Sequence, residues 1–175
     1  MLALAVSGLL GTTPLQQLRP SWNGVLWGVL ATIPLLTLLW WILERAGGRL
    51  RELVEFVTEH LGPLIAGRSV LVLALLSALA GFAEELLFRG VLQDGLGRLL
   101  PSQIALIVSS ILFGLAHFAS STYAVLAGVM GVYLGLLYLA QGSLLAPMVT
   151  HGLYDLIALV LVARRYQTQS SAAAE

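Results

Sequence analysis

Cysteine is absent from this 175-residue chain. That excludes disulfides, thiolate nucleophiles and cysteine-ligated metals, and leaves the redox compartment unreadable. Lysine is absent as well, all nine basic residues being arginine. Charge of either sign is scarce, at 10% of residues against roughly 25% in an ordinary soluble domain. The formal net charge is zero, so nothing electrostatic points to a nucleic-acid partner. The apolar stretch Met1–Leu10 has no basic residues ahead of it. It therefore reads as a short hydrophobic or interfacial helix rather than a cleaved secretory signal. No internal repeat and no second domain is visible, which leaves a small transporter with little support.

What the chain has in abundance is apolar surface. Hydrophobic residues make up 58% of it, too many for the remaining polar groups to cover a soluble particle of this size. Membrane-crossing helices need about 20 apolar residues. Val25–Leu43 qualifies, with Trp40 and Trp41 at its end where an aromatic belt would place them. Val70–Leu92, Gln103–Phe118, Tyr123–Ala140 and Leu144–Ala163 follow. Between the first two, residues 44–60 alternate charge with Leu50, Leu53, Val54 and Val57 at helical spacing, the pattern of an amphipathic interfacial helix. The expected fold is an all-α polytopic transmembrane bundle of five to six spans plus that interfacial helix. It forms a single membrane domain, 1–175, with a core over about 69–163 and a disordered tail at 166–175. Arginine outnumbers on the side holding Arg45, Arg49, Arg51, Arg68, Arg164 and Arg165. The positive-inside rule then puts the C-terminus in the cytoplasm and the protein in the cell (cytoplasmic) membrane.

Ionisable residues inside apolar helices are costly and by default mark function. This chain places Glu84, Glu85, Arg89, His117, His151 and Asp155 there. Glu85 and Arg89 are four apart and share a helical face, while Glu84 turns about 100° away. The group suits either a structural salt-bridge cluster or a general base tuned by burial and a nearby cation. His117, in Phe113-Gly-Leu-Ala-His117, reads equally as a hydrogen-bonded core histidine. His151 and Asp155 share a face near a helix start, where an oxyanion would be stabilised, or where the pair would merely fix the helix. Measured from one membrane rim at about 1.5 Å per residue, Glu84, His117 and His151 all reach mid-depth, provided a single helix runs from about Arg68 to Arg98.

The order Glu84-Glu85-Leu-Leu-Phe-Arg89, Phe113-Gly-Leu-Ala-His117 and His151-Gly-Leu-Tyr-Asp155, each on a membrane helix, resembles the CAAX prenyl protease and bacteriocin-processing family, also called the Abi family. The likeness covers about Ser77 to Leu161. It implies a glutamate-type intramembrane endopeptidase with no expected cofactor. Glu84 would activate water, His117 would help bind and polarise it, and His151 with position 155 would stabilise the oxyanion. Glu85, Arg89 and Phe113 would support the site. Asp155 stands where other members carry asparagine, and as an acceptor it would orient His151. Its partners would be the bilayer and a peptide or protein substrate, prenylated tails included. Two alternatives stand beside this reading. One is a zinc metalloprotease with Glu84, His117, His151 and Asp155 as ligands, without the usual His-Glu-x-x-His motif. The other is a non-enzymatic immunity or accessory protein.

Overall fold

The computed structural model describes residues 7, 8 and 11–172. Most of the Met1–Leu10 stretch therefore lies outside the described residues. A short 3₁₀ turn, Pro14–Gln17, precedes six helices: α1 (Trp22–Arg45), α2 (Arg49–Ile65), α3 (Val70–Gly97), α4 (Ser102–Ala116), α5 (Ser121–Gln141) and α6 (Leu145–Ala172). There is no strand among the described residues. Serine caps open three of the helices: Ser21, Ser69 and Ser120 accept from the amides of Gly24, Val72 and Tyr123, satisfying donors that a helix start leaves free.

The fold is inverted relative to a soluble protein. Leu75, Leu79, Ile111, Val125 and Val129 face outward, while Glu85, Arg89, Gln93, Thr150 and His151 are buried. Apolar outside and polar inside is the arrangement a bilayer stabilises. α6 is the central element, packed against α1, α2 and α3, and α4 and α5 form a hairpin that leans on the second half of α3.

Three expectations change. First, α1, α3, α5 and α6 are long and apolar enough to cross a membrane, but α4 has only 15 residues. It rises about 22 Å, short of the roughly 30 Å hydrocarbon core, so of the five to six expected spans the described residues supply four plus a shorter apolar helix. α4 stops at Ala116 because His117 leaves helical geometry at φ −100° and ψ 23°. Second, the amphipathic helix runs over Arg49–Ile65 instead of 44–60, since Gly48 at φ 57° breaks the chain after α1. Its inward face, including Leu53 and Ile65, packs on α6. Third, residues 166–172 of the expected disordered tail continue α6. Tyr166 lies against Gly62 and the Gln167 amide donates to the Ala66 carbonyl, which ties that stretch to α2.

The Gly131–Gly135 spacing serves packing within the chain. A methyl group on Gly131 would lie 3.2 Å from Ser110 Cα, and one on Gly135 would collide with a Leu106 methyl. Small residues here let α5 approach α4 closely.

Candidate active site

α3 is the single long helix that the depth argument required, at 28 residues. Its second half, Leu86–Gln93, is wound as a π-helix, a local widening often found at functional sites. It begins directly after Glu84 and Glu85, and it carries Arg89 and Gln93 into the interior.

The two adjacent glutamates have different surroundings. Glu85 Oε1 takes Arg89 Nη1 at 2.8 Å and His151 Nδ1 at 2.8 Å. Arg89 also donates to the Gly131 carbonyl at 2.8 Å and lies over the Phe113 ring, 4.7 Å from its centroid, a cation–π contact. The Glu85 and Arg89 side chains are 0% and 1% exposed, whereas Glu84 is 30% exposed. Glu84 Oε2 sits 3.3 Å from His117 Nε2 and 3.9 Å from His151 Nε2, yet makes no hydrogen bond of good geometry. Asp155 Oδ2 is 3.4 Å from the same His151 nitrogen.

The histidines are oriented by what holds their other nitrogen. His117 Nδ1 is 2.8 Å from the Phe113 carbonyl. A carbonyl only accepts, so Nδ1 carries the proton and the neutral ring turns its Nε2 lone pair toward Glu84. A lone pair facing a carboxylate needs a proton between them, on either group or on a bridging water. His151 Nδ1 faces Glu85 and so presents Nε2 to Glu84 and Asp155. Phe113 stacks near His117 with centroids 4.4 Å apart and meets Phe88 and His151 edge-on. It is the platform on which Arg89 and both rings rest.

All seven residues singled out from the sequence thus gather in one cluster. Several participants carried no sequence signal. Tyr123 meets the His117 ring edge-on at 6.4 Å, across a turn with no fixed spacing. Gln93 donates to the Gly135 carbonyl at 3.1 Å, one turn beyond the Arg89–Gly131 bond. Gln17 is considered below. Among the described residues, no group of three or more His, Asp or Glu side chains is arranged to hold a metal ion.

Membrane-length helices enclosing a carboxylate–imidazole–guanidinium cluster define a multi-pass membrane protein with its polar chemistry set inside the bundle. A family model described as type II CAAX prenyl endopeptidase Rce1-like matches residues 66–157, and the chain belongs to that family. A protein of Bacillus subtilis (strain 168), described as the uncharacterized protein YpbD, is 32% identical over 97 residues, covering 54% of this chain and 47% of the relative. The chain therefore spans about half the length of this curated relative. No solved structure matches the chain.

Proposed function

We propose that this protein is an intramembrane endopeptidase that hydrolyses a peptide bond with water activated by Glu84, within a catalytic core over about 69–163. One observation carries the reading. Glu85 Oε1 is taken by both Arg89 and His151 and its side chain is sealed from solvent, while the neighbouring Glu84 Oε2 has no hydrogen bond, belongs to a side chain that is 30% exposed, and is faced by two imidazole nitrogens. A carboxylate held beside histidines without a fixed hydrogen bond is available to take a proton.

In this mechanism a water bridges Glu84 and His117 Nε2 from beside the pair, since those groups lie 3.3 Å apart. Glu84 removes a proton, and the hydroxide attacks the scissile carbonyl. His151, held at Nδ1 by Glu85, donates from a protonated Nε2 to the oxyanion, with the Asp155 carboxylate 3.4 Å from that nitrogen. Asp155 acts as the acceptor that orients His151. Glu84 then passes its proton to the leaving amine. No covalent intermediate forms. The substrate is a peptide or protein reached within the membrane, and prenylated C-terminal tails are the class the family favours.

The test compares wild type with Glu84→Gln in detergent, on a panel of prenylated C-terminal peptides, leader peptides and transmembrane segments, with and without chelator. Products are read by mass spectrometry. The expected outcome is chelator-insensitive cleavage by wild type, and none by a variant of unchanged thermal stability. Loss of cleavage with chelator would move the mechanism to zinc. A cleavage-free wild type, with Glu84→Gln less stable, would favour the immunity or accessory role.

A further inference from the structure

The π-helical turn of α3 takes the α-helical donor away from one of its carbonyls. In an α-helix the Asp94 amide would donate to the Gly90 carbonyl. Here it is shared between the Arg89 and Val91 carbonyls instead. The Gly90 carbonyl accepts from the side chain of Gln17 at 3.1 Å, from a segment 73 residues earlier in the chain. The same glutamine makes two more bonds. Its Oε1 accepts from the Tyr138 hydroxyl of α5 at 2.8 Å, and its backbone carbonyl accepts from the Leu144 amide at the head of α6 at 3.0 Å. Each of the three helices it touches contributes to the site: α3 brings Glu84, Glu85 and Arg89, α5 the Gly131 carbonyl, and α6 His151 and Asp155.

The surrounding strap is seated closely. A methyl group on Gly90 would lie 2.9 Å from Pro14 Cβ and 3.0 Å from Leu144. Leu18 packs against Leu86, Leu144 and Met148. The Arg19 amide donates to Ser143 Oγ at 3.2 Å, beside the turn between α5 and α6.

We propose that Gln17, which lies outside the stretch matched by the family model, is a positioning residue that holds α3 in its π-helical register and thereby keeps Arg89 and Glu85 aligned with His151. As far as it concerns turnover, this rests on the hydrolytic reading above. A return of this turn to α-helical bonding would pair Asp94 with Gly90, rotate Arg89 relative to Glu84, and pull the guanidinium from the Gly131 carbonyl. Gln17 opposes that by occupying the Gly90 carbonyl to which the Asp94 amide would return. Tyr138 fixes the rotamer that makes the donation.

The test uses full-length protein in detergent and the variants Gln17→Met, Gln17→Glu and Tyr138→Phe. Gln17→Met keeps the length and removes both side-chain bonds. Gln17→Glu keeps an acceptor for Tyr138 but, ionised, loses the donor to Gly90. Tyr138→Phe leaves the donor in place. Amide hydrogen exchange is followed over residues 86–94. kcat and KM are measured on whichever panel peptide wild type cleaves. Both Gln17 variants are expected to raise exchange over 86–94 while α1 and α2 keep wild-type protection. They should lower kcat about tenfold or more with KM little changed, as expected of a small misplacement of reacting groups. Tyr138→Phe should do less. Unchanged exchange over 86–94 in Gln17→Met would overturn the proposal. So would a rise spread evenly over the chain, which marks general destabilisation. If wild type cleaves nothing while Gln17→Met still loosens 86–94 selectively, the hydrolytic reading fails and the positioning role stands.

Discussion

α3 and α6 cross at Gly81, one turn before the glutamates and level with His151. A methyl group at Gly81 would lie 2.9 Å from the Gly152 amide nitrogen and 3.0 Å from the Met148 carbonyl oxygen. Both are backbone atoms, which cannot swing aside. Restoring ordinary contact separates the helices by roughly 0.5 Å. The His151 Nδ1–Glu85 Oε1 contact of 2.8 Å then reaches about 3.3 Å, past the useful range for such a bond. Gly152 is the contrast. A methyl there would find its nearest atom at 3.4 Å, an ordinary contact. Both Gly→Ala changes gain the same helix propensity, about 1 kcal/mol, so that gain cancels between them. The remainder is the overpacking cost, about 1–3 kcal/mol, which falls on Gly81→Ala alone. At about 2–4 °C per kcal/mol for a chain of this size, thermal unfolding in detergent should place Gly81→Ala several degrees below Gly152→Ala. Turnover should fall about tenfold or more in Gly81→Ala and stay near wild type in Gly152→Ala. Equal melting temperatures, with activity intact in both, would refute the idea that this crossing sets the site.

Arg89→Met should destabilise by about 3–5 kcal/mol, because it leaves the buried Glu85 without its cation. The double variant Arg89→Met with Glu85→Gln should regain most of that loss in thermal unfolding, since no unpaired charge remains. Ser120→Ala removes the cap that accepts from the Tyr123 amide at 3.1 Å and should cost about 1 kcal/mol, read in the same assay. Because the chain has no cysteine, single cysteines at Glu59, Leu99 and Ser170 report sidedness against a silent background. Positions 59 and 170 should label from one face of the membrane, the cytoplasmic one, and position 99 from the other. Labelling of 59 and 170 from opposite faces would overturn the bundle's topology.

The site was largely legible in the sequence because a membrane makes polar residues conspicuous. A glutamate pair, an arginine, two histidines and an aspartate stand out from apolar helices, and helical spacing alone pairs Glu85 with Arg89 and His151 with Asp155. Long apolar runs likewise marked the helices of the bundle. What spacing could not carry was geometry that depends on backbone departures from the regular helix. The end of α4 at His117 looks in sequence like its continuation, so a helix of 15 residues read as a full span. The π-helical turn leaves no mark in the residue pattern, and the partner it calls for, Gln17, is an unremarkable polar residue before the first span. The extension of α6 past Tyr166 follows from a contact with Gly62, which exists only once α2 is folded against it.

The proposed mechanism also gives a reason for two adjacent glutamates. A cation beside a carboxylate lowers its readiness to take a proton, yet a cation-free buried carboxylate is costly to ionise. One residue cannot be both neutraliser and base. Here the four-residue spacing brings Arg89 onto Glu85, and of the two glutamates its guanidinium bonds to Glu85 alone. Glu85 passes the effect on to His151, which it grips at Nδ1, so that the opposite nitrogen faces Glu84. Glu84 thus feels the arginine only through space and the histidine only across a gap of 3.9 Å. The carboxylate that pairs with the buried arginine and the proposed base sit on neighbouring residues, about 100° apart around the helix. That separation is what an unbroken apolar helix with a single glutamate could not supply.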